Sequence, residues 1–241
     1  MIKVEKIESF NLEGAVRGMR NPLSSHDLSD SQWVFNGTCA FPPPFFHLGE
    51  KDLALAVRLC RAGEDHRKFL RQIFVSMDIT APLYWWKEMD TYKVSTTANS
   101  ESTMHTITRE EFNLSLFSHD KLVADDPRFM IDITPGLSIS PLELMELNLK
   151  ALNHYRSGYS SAIKDGDAVL AKTFWWQIIQ TLQTSWDQKR TWTGSYENLI
   201  NILGSRSNHK QDEWREFCKV LRESVPYLDV FDRAINEGVG A

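Results

Sequence analysis

The chain has 241 residues, 42% apolar, 11% aromatic and 24% charged, which supports a full hydrophobic core without disulfides or structural metal and excludes disorder of the whole chain. Twenty-seven Lys and Arg against 32 Asp and Glu leave a net charge of -5, so a nucleic-acid-binding surface is not expected, although a local basic pocket is compatible with it. The charge-free stretches 31–49 and 173–186 are proline-broken and Gln/Thr-rich respectively, and neither supplies the about 20 apolar residues of a membrane span.

In chain order, residues 1–50 read as a charged opening segment followed by a loop-rich stretch that ends in Phe41-Pro42-Pro43-Pro44-Phe45-Phe46, where consecutive prolines forbid helix. From Asp52, the spacing of Leu55, Leu59 and Cys60 predicts a helix capped by Gly63. Ile73, Val75, Met77 and Ile79 alternate with Phe74, Ser76, Asp78 and Thr80, which predicts a strand over 73–80. Ala81-Pro82 then places proline at the first position of a helix carrying Leu83, Trp86 and Met89. The Ser-, Thr- and Asn-rich segment 95–105 reads as a loop. Thr108 and Glu111 suggest a short capping box, and Ser140-Pro141-Leu142-Glu143 is a strong one that starts a helix running towards Gly158. The last third reads as helical throughout. Its segments are 169–186, then Tyr196 to Gly204, then a run with Trp214, Phe217, Cys218 and Leu221 that ends before Pro226. The expected class is therefore α/β and helix-rich, with a small mixed sheet in a single domain spanning 1–241.

Charge at Lys3, Glu5, Lys6, Glu8 and Glu13 removes any secretory signal from the opening segment. Cys39, Cys60 and Cys218 have no CxxC spacing and read as buried thiols of a reducing compartment, which points to the cytoplasm. Dinucleotide, phosphate-loop, zinc-protease and serine-hydrolase motifs are absent, the seven histidines are dispersed, and no metal site is expected. Lys189-Arg190-Thr191-Trp192 interleaves cations with an aromatic but reads first as a solvated turn. Tyr84-Trp85-Trp86 and Phe174-Trp175-Trp176 read as packing or subunit-interface clusters. The group Lys87, Glu88, Asp90 and Lys93, followed by Ser95, Thr96, Thr97, Asn99, Ser100, Ser102 and Thr103, offers many short hydrogen-bonding groups to a polar ligand.

Gly63, His66, the 73–80 strand, Ala81-Pro82-Leu83-Tyr84, and then Asn99 and Ser102 in an NxxS spacing follow one another in a telling order. Trp192-Thr193, Leu199, Arg206, His209, Gln211 and Glu213 form a second block. Together they resemble the flavin-dependent thymidylate synthases, the ThyX family, over 53–105 and 182–231. The resemblance implies a ThyX-like fold and a homotetramer with sites shared between subunits. It further implies transfer of a one-carbon unit to a dUMP-like pyrimidine nucleotide with FAD, NADPH and methylenetetrahydrofolate. By the same resemblance Tyr92, Lys93, Asn99 and His209 lie near the flavin, Glu88, Ser102, Thr103 and Arg206 face the nucleotide, and Arg206 is the residue assigned to catalysis.

Several positions depart from the family pattern. Its Arg-His-Arg is here Thr91-Tyr92-Lys93; Thr91, Met104 and Ile179 stand where arginines are expected, and Ser195 and Glu197 where a flavin-side Asn and Arg are expected. Two functional readings follow, a divergent flavin-dependent enzyme and a non-catalytic relative that sequesters or senses a nucleotide in an inter-subunit cavity. A purely structural oligomer is a third.

Overall fold

The computed structural model describes residues 2–35 and 44–236, so Cys39 and most of the proline run lie outside the described residues. The charged opening segment is ordered secondary structure: strand β1 (Lys3–Phe10) alternates between exposed and half-buried positions, and helix α1 (Leu12–Arg20) follows at once. Asn11 makes the turn between them at φ 67, a left-handed conformation that Asn tolerates, and its amide donates to the Gln72 carbonyl at 2.9 Å. The short strands β2 (Gln32–Val34) and β3 (Phe45–His47) pair antiparallel with Trp33 opposite Phe46.

Helix α2 (Glu50–Arg61) ends just before Gly63, whose φ of 105 only glycine adopts freely. Strand β4 (Phe74–Pro82) buries Val75, Met77, Ile79 and Ala81, as the alternation predicts. Helix α3 (Leu83–Met89) corrects one expectation: Pro82, with ψ 152, is the extended cap and not the first helical residue. The 95–105 segment is also not all loop. It contains strand β5 (Thr97–Ser100), all of it exposed, and the single-turn helix α4 (Thr103–Thr106).

No helix starts at Thr108. Its carbonyl accepts from Arg156 Nε at 3.1 Å, and the Asn153 amide grips the backbone of Phe112 at both N–H and C=O, each at 2.8 Å. Strands β6 (Ile131–Thr134) and β7 (Leu137–Ile139) form an antiparallel hairpin. Helix α5 (Pro141–Lys164) opens with the full capping box, Ser140 N–H to Glu143 at 2.7 Å and Glu143 N–H to Ser140 Oγ at 3.2 Å. It continues past Gly158, where a side chain would come within 2.5 Å of the Phe174 ring, so this glycine marks close packing against helix α6 (Ala168–Thr181) and not a helix end.

The largest correction lies at residues 187–195. This polar stretch, which includes the expected turn Lys189–Trp192, is strand β8 (Asp187–Ser195), an inner strand of the four-stranded sheet ordered β1-β4-β8-β5. Helices α7 (Tyr196–Arg206), α8 (Asp212–Ser224) and α9 (Leu228–Asn236) follow, and α8 buries Trp214, Phe217, Cys218 and Leu221 as its spacing predicts. No helix among the described residues is long and apolar enough to cross a membrane.

The fold is helix-rich α/β with small sheets, and the chain divides into two compact units. One comprises Met1–Lys3, Thr80–Asp90 and Ser100–Arg190; within it Ile107, Phe112, Phe117, Met145, Leu149, Leu152 and Ile178 form a buried cluster. The other comprises Val4–Ile79, Thr91–Asn99 and Thr191–Ala241. Its core is built around α7, which buries Leu199, Ile200, Ile202 and Leu203 and packs against α8 and α9.

Candidate functional site

The candidate residues fall into two sets, one in each unit. Tyr92, Lys93, Asn99, Arg206 and His209 belong to the unit built around α7, and Glu88, Ser102 and Thr103 to the other.

In the first set, α7 aims the key cation. Ser195 caps the helix, accepting from the Asn198 N–H at 3.3 Å while the Asn198 side chain takes the Ser195 N–H at 2.9 Å. The Asn198 amide also donates to the Val94 carbonyl at 2.9 Å, which ties the 91–96 loop to the start of the helix. Within that loop Thr96 Oγ1 donates to the Tyr92 carbonyl at 2.6 Å and Ser95 takes φ 58.

Arg206 is the last residue of α7, where a cation is favoured by the helix dipole. Its Nε donates to the Tyr92 hydroxyl at 3.0 Å, and its guanidinium carbon lies 4.9 Å from the Trp214 ring centre and 5.7 Å from that of Tyr92. Cation–π attraction and the hydrogen bond to Tyr92 thus orient the guanidinium.

His209 stands edge-on to Trp214, with ring centres 6.2 Å apart. The Gln211 N–H donates to its Nδ1 at 3.3 Å, so in the neutral ring the proton sits on Nε2. Arg215 braces this turn by donating to the His209 carbonyl at 2.6 Å and to Asp212. Gln211 Oε1 is buried with no hydrogen-bond partner among the described residues, an unsatisfied acceptor two positions from His209. The structure thus brings Tyr92, Arg206 and His209 together around Trp214, whereas Lys93 and Asn99 are exposed. Trp214 and Gln211 were legible in the sequence only as a core residue and as part of the His-x-Gln-x-Glu spacing.

Ser195 and Glu197, which stand where flavin-side residues are expected, have structural work in this chain. Ser195 is the α7 cap, and Glu197 accepts from Arg67 Nη2 at 2.9 Å and from Arg67 Nε at 3.2 and 3.3 Å in a buried pair. Cys60, close to that pair, is pushed up to about 12 by burial.

In the second set, Glu88 is half-buried on α3, and Ser102 is exposed, its carbonyl accepting from Thr106 Oγ1 at 2.9 Å. Thr103 is half-buried and meets a residue the sequence did not single out: Gln188 Nε2 donates to Thr103 Oγ1 at 3.1 Å and to the Glu101 carbonyl at 2.9 Å. The Gln188 Oε1 accepts from Arg190 Nε at 2.9 Å. Arg190 in turn lies 4.3 Å over the Trp86 ring and donates from Nη1 to Asp90 at 2.8 Å. This network is assembled by β8, which the polar sequence of 187–195 concealed.

No protein-family model matches the sequence, and no curated protein matches it. Solved structures do. Thymidylate synthase X (ThyX) from Helicobacter pylori with FAD and dUMP superposes with a TM-score of 0.61 at 15% identity, covering 98% of this chain and 99% of that chain. The UMP/dUMP methylase PolB from Streptomyces cacaoi bound with 5-Br dUMP gives 0.57 at 16% identity, over 98% and 95% of the two chains. The same methylase bound with 5-Br UMP gives 0.56 at 13% identity. The chain has the ThyX-like fold from end to end.

Proposed function

We propose that the protein is a flavin-dependent, ThyX-like methylase that transfers a methyl or one-carbon unit to a dUMP-like pyrimidine nucleotide, using FAD, NADPH and methylenetetrahydrofolate, as a homotetramer in the cytoplasm. The observation that carries the reading is Arg206, a guanidinium fixed between Tyr92 and Trp214 at the end of α7 and oriented before any ligand arrives. A pre-oriented guanidinium binds an anionic phosphate or a ring carbonyl without the entropy cost of ordering a long side chain. The end-to-end fold similarity to proteins crystallised with dUMP and 5-Br UMP supports the same ligand class.

The residues present suit a flavin. The buried, unpartnered acceptor Gln211 Oε1 suits a donor such as an imide N–H or a ribityl hydroxyl, and Lys93 and Asn99 supply an ammonium and an amide at the surface. FAD, held by these residues, would supply the redox chemistry of the transfer. Arg206 would neutralise charge on a nucleotide, and by the family resemblance Ser102, Thr103 and Glu88 are the other residues assigned to that ligand.

The departures favour a second reading, a nucleotide-binding protein that has lost the chemistry. Thr91 and Met104 offer no guanidinium, and Glu197 is committed to Arg67. An absorption spectrum of the purified protein, mass spectrometry of what is released on denaturation, and calorimetric titration with FAD and dUMP separate the two. Flavin absorbance or FAD uptake together with dUMP binding supports the enzyme. A colourless protein that binds dUMP but no FAD supports the sequestering protein, and binding of neither ligand refutes both.

A further inference from the structure

The Gln188 network fixes a proton direction. An arginine Nε can only donate and a backbone carbonyl can only accept, so Arg190 on one side and the Glu101 carbonyl on the other lock the Gln188 amide in one flip state. With only 9% of its surface exposed, the amide has little water to let it turn. Its NH2 therefore faces Thr103 Oγ1, which must accept there, and the hydroxyl proton of Thr103 is directed away from Gln188. The chain of donors starts at Arg190, which also donates to Asp90 and is thereby anchored over Trp86.

We infer that Gln188 is a positioning residue that turns the half-buried Thr103 into an outward hydrogen-bond donor, so that the ligand oxygen met by Thr103 is an acceptor without a proton, a phosphoryl oxygen or a pyrimidine carbonyl. This rests on the nucleotide reading above and assigns the polarity of one of its contacts. Met104, the neighbour of Thr103, carries no charge and is exposed, so the Thr103 hydroxyl donates beside a position without a cation.

The inference is tested by calorimetric titration of the full chain with dUMP and with deoxyuridine, using Gln188→Glu, Thr103→Val, Thr103→Ser and the Gln188→Glu/Thr103→Val double variant, with thermal melting as the control for folding. Gln188→Glu keeps the Arg190 contact but replaces the shared NH2 with an oxygen, which pulls the Thr103 proton inward and sets an acceptor against the Glu101 carbonyl, so its melting temperature is read beside its affinity. Loss of a hydrogen bond to a charged or strongly polar oxygen corresponds to a roughly ten- to hundredfold fall in affinity. That fall is expected for Gln188→Glu and for Thr103→Val, with no further fall in the double variant and near-native affinity for Thr103→Ser. A fall seen with dUMP alone assigns the contact to phosphate, and a fall with both ligands assigns it to the ring. Should Gln188→Glu not fold, the contrast between Thr103→Val and Thr103→Ser decides. Folded variants that bind dUMP within twofold of the native chain overturn the inference and leave the proposed function standing. A native chain that binds neither ligand overturns both.

Discussion

The buried pair between Arg67 and Glu197 gives a prediction whose size follows from its geometry. Both side chains are only 10% exposed, and three N–H···O contacts of 2.9 to 3.3 Å join them. Replacing Arg67 with Met leaves the Glu197 carboxylate buried in the first turn of α7 without its partner. Breaking a buried pair from one side costs about 3–5 kcal/mol, and the exposed Glu64, 3.6 Å from Arg67, cannot substitute because it is also acidic. For a chain of this size, at about 2–4 °C per kcal/mol, the melting temperature should fall by about 6–20 °C. The double change Arg67→Met/Glu197→Met should recover most of that loss, since two packed apolar side chains need no mutual charge. Urea unfolding followed by both fluorescence and far-UV dichroism would measure these differences and check two-state behaviour. A single variant within about 1 kcal/mol of the native chain would refute the reasoning, as would a double variant as unstable as the sum of the singles. The same experiment bears on function. If Glu197 faced a cofactor, Glu197→Gln would change FAD affinity and leave the melting temperature alone; the buried pair requires the opposite.

Arg206→Ala should abolish dUMP binding, a cost of about 2–5 kcal/mol if the charge is desolvated, while Tyr92→Phe, which removes only the hydroxyl and keeps the ring, should weaken binding by less; calorimetry on folded protein checks the order. At Asp52 burial raises the carboxyl, but the Ser29 and Ser31 hydroxyls and the Arg20 guanidinium outweigh it and hold the group below its ordinary value. A carboxyl depressed in the folded state stabilises fully above the unfolded value of about 3.9 and loses that contribution as the pH falls through the folded value. Asp52→Asn should therefore melt lower than the native chain at neutral pH, with the gap closing below about pH 4, and melting curves over that range would show it. Burial pushes Cys60 up to about 12 and Cys218 up to about 11, so alkylation at mildly alkaline pH should leave both unmodified until the protein unfolds, as peptide mass mapping would reveal.

The candidate residues on and after α7 were legible because Arg206 and His209 lie close together in the chain, and the helix and turn that join them have local signals. The Ser140 capping box and the apolar spacing of Trp214, Phe217, Cys218 and Leu221 were legible for the same reason. The contact of Arg206 with Tyr92 spans 114 positions and has no local signature, so it is visible only in the structure, whereas the family resemblance placed Tyr92 near the flavin and Arg206 at the nucleotide.

Periodicity and capping are properties of neighbours within a turn or two, and they determined β4, α2, α5 and α8 before any tertiary contact was considered. Strands β5 and β8 were decided by pairing. β8 reads Asp-Gln-Lys-Arg-Thr-Trp-Thr-Gly-Ser, with no clean alternation of apolar residues, and it is extended because β4 and β5 flank it in the sheet. Thr191 donating to Asp78 at 2.7 Å and Thr193 donating to Ser76 at 3.1 Å give polar side chains partners that no local pattern announces. The lock on Gln188 has the same origin. Its identity is written in the sequence, but the direction of its amide, and hence of the Thr103 proton, exists only once Glu101 and Arg190 are brought to its two sides.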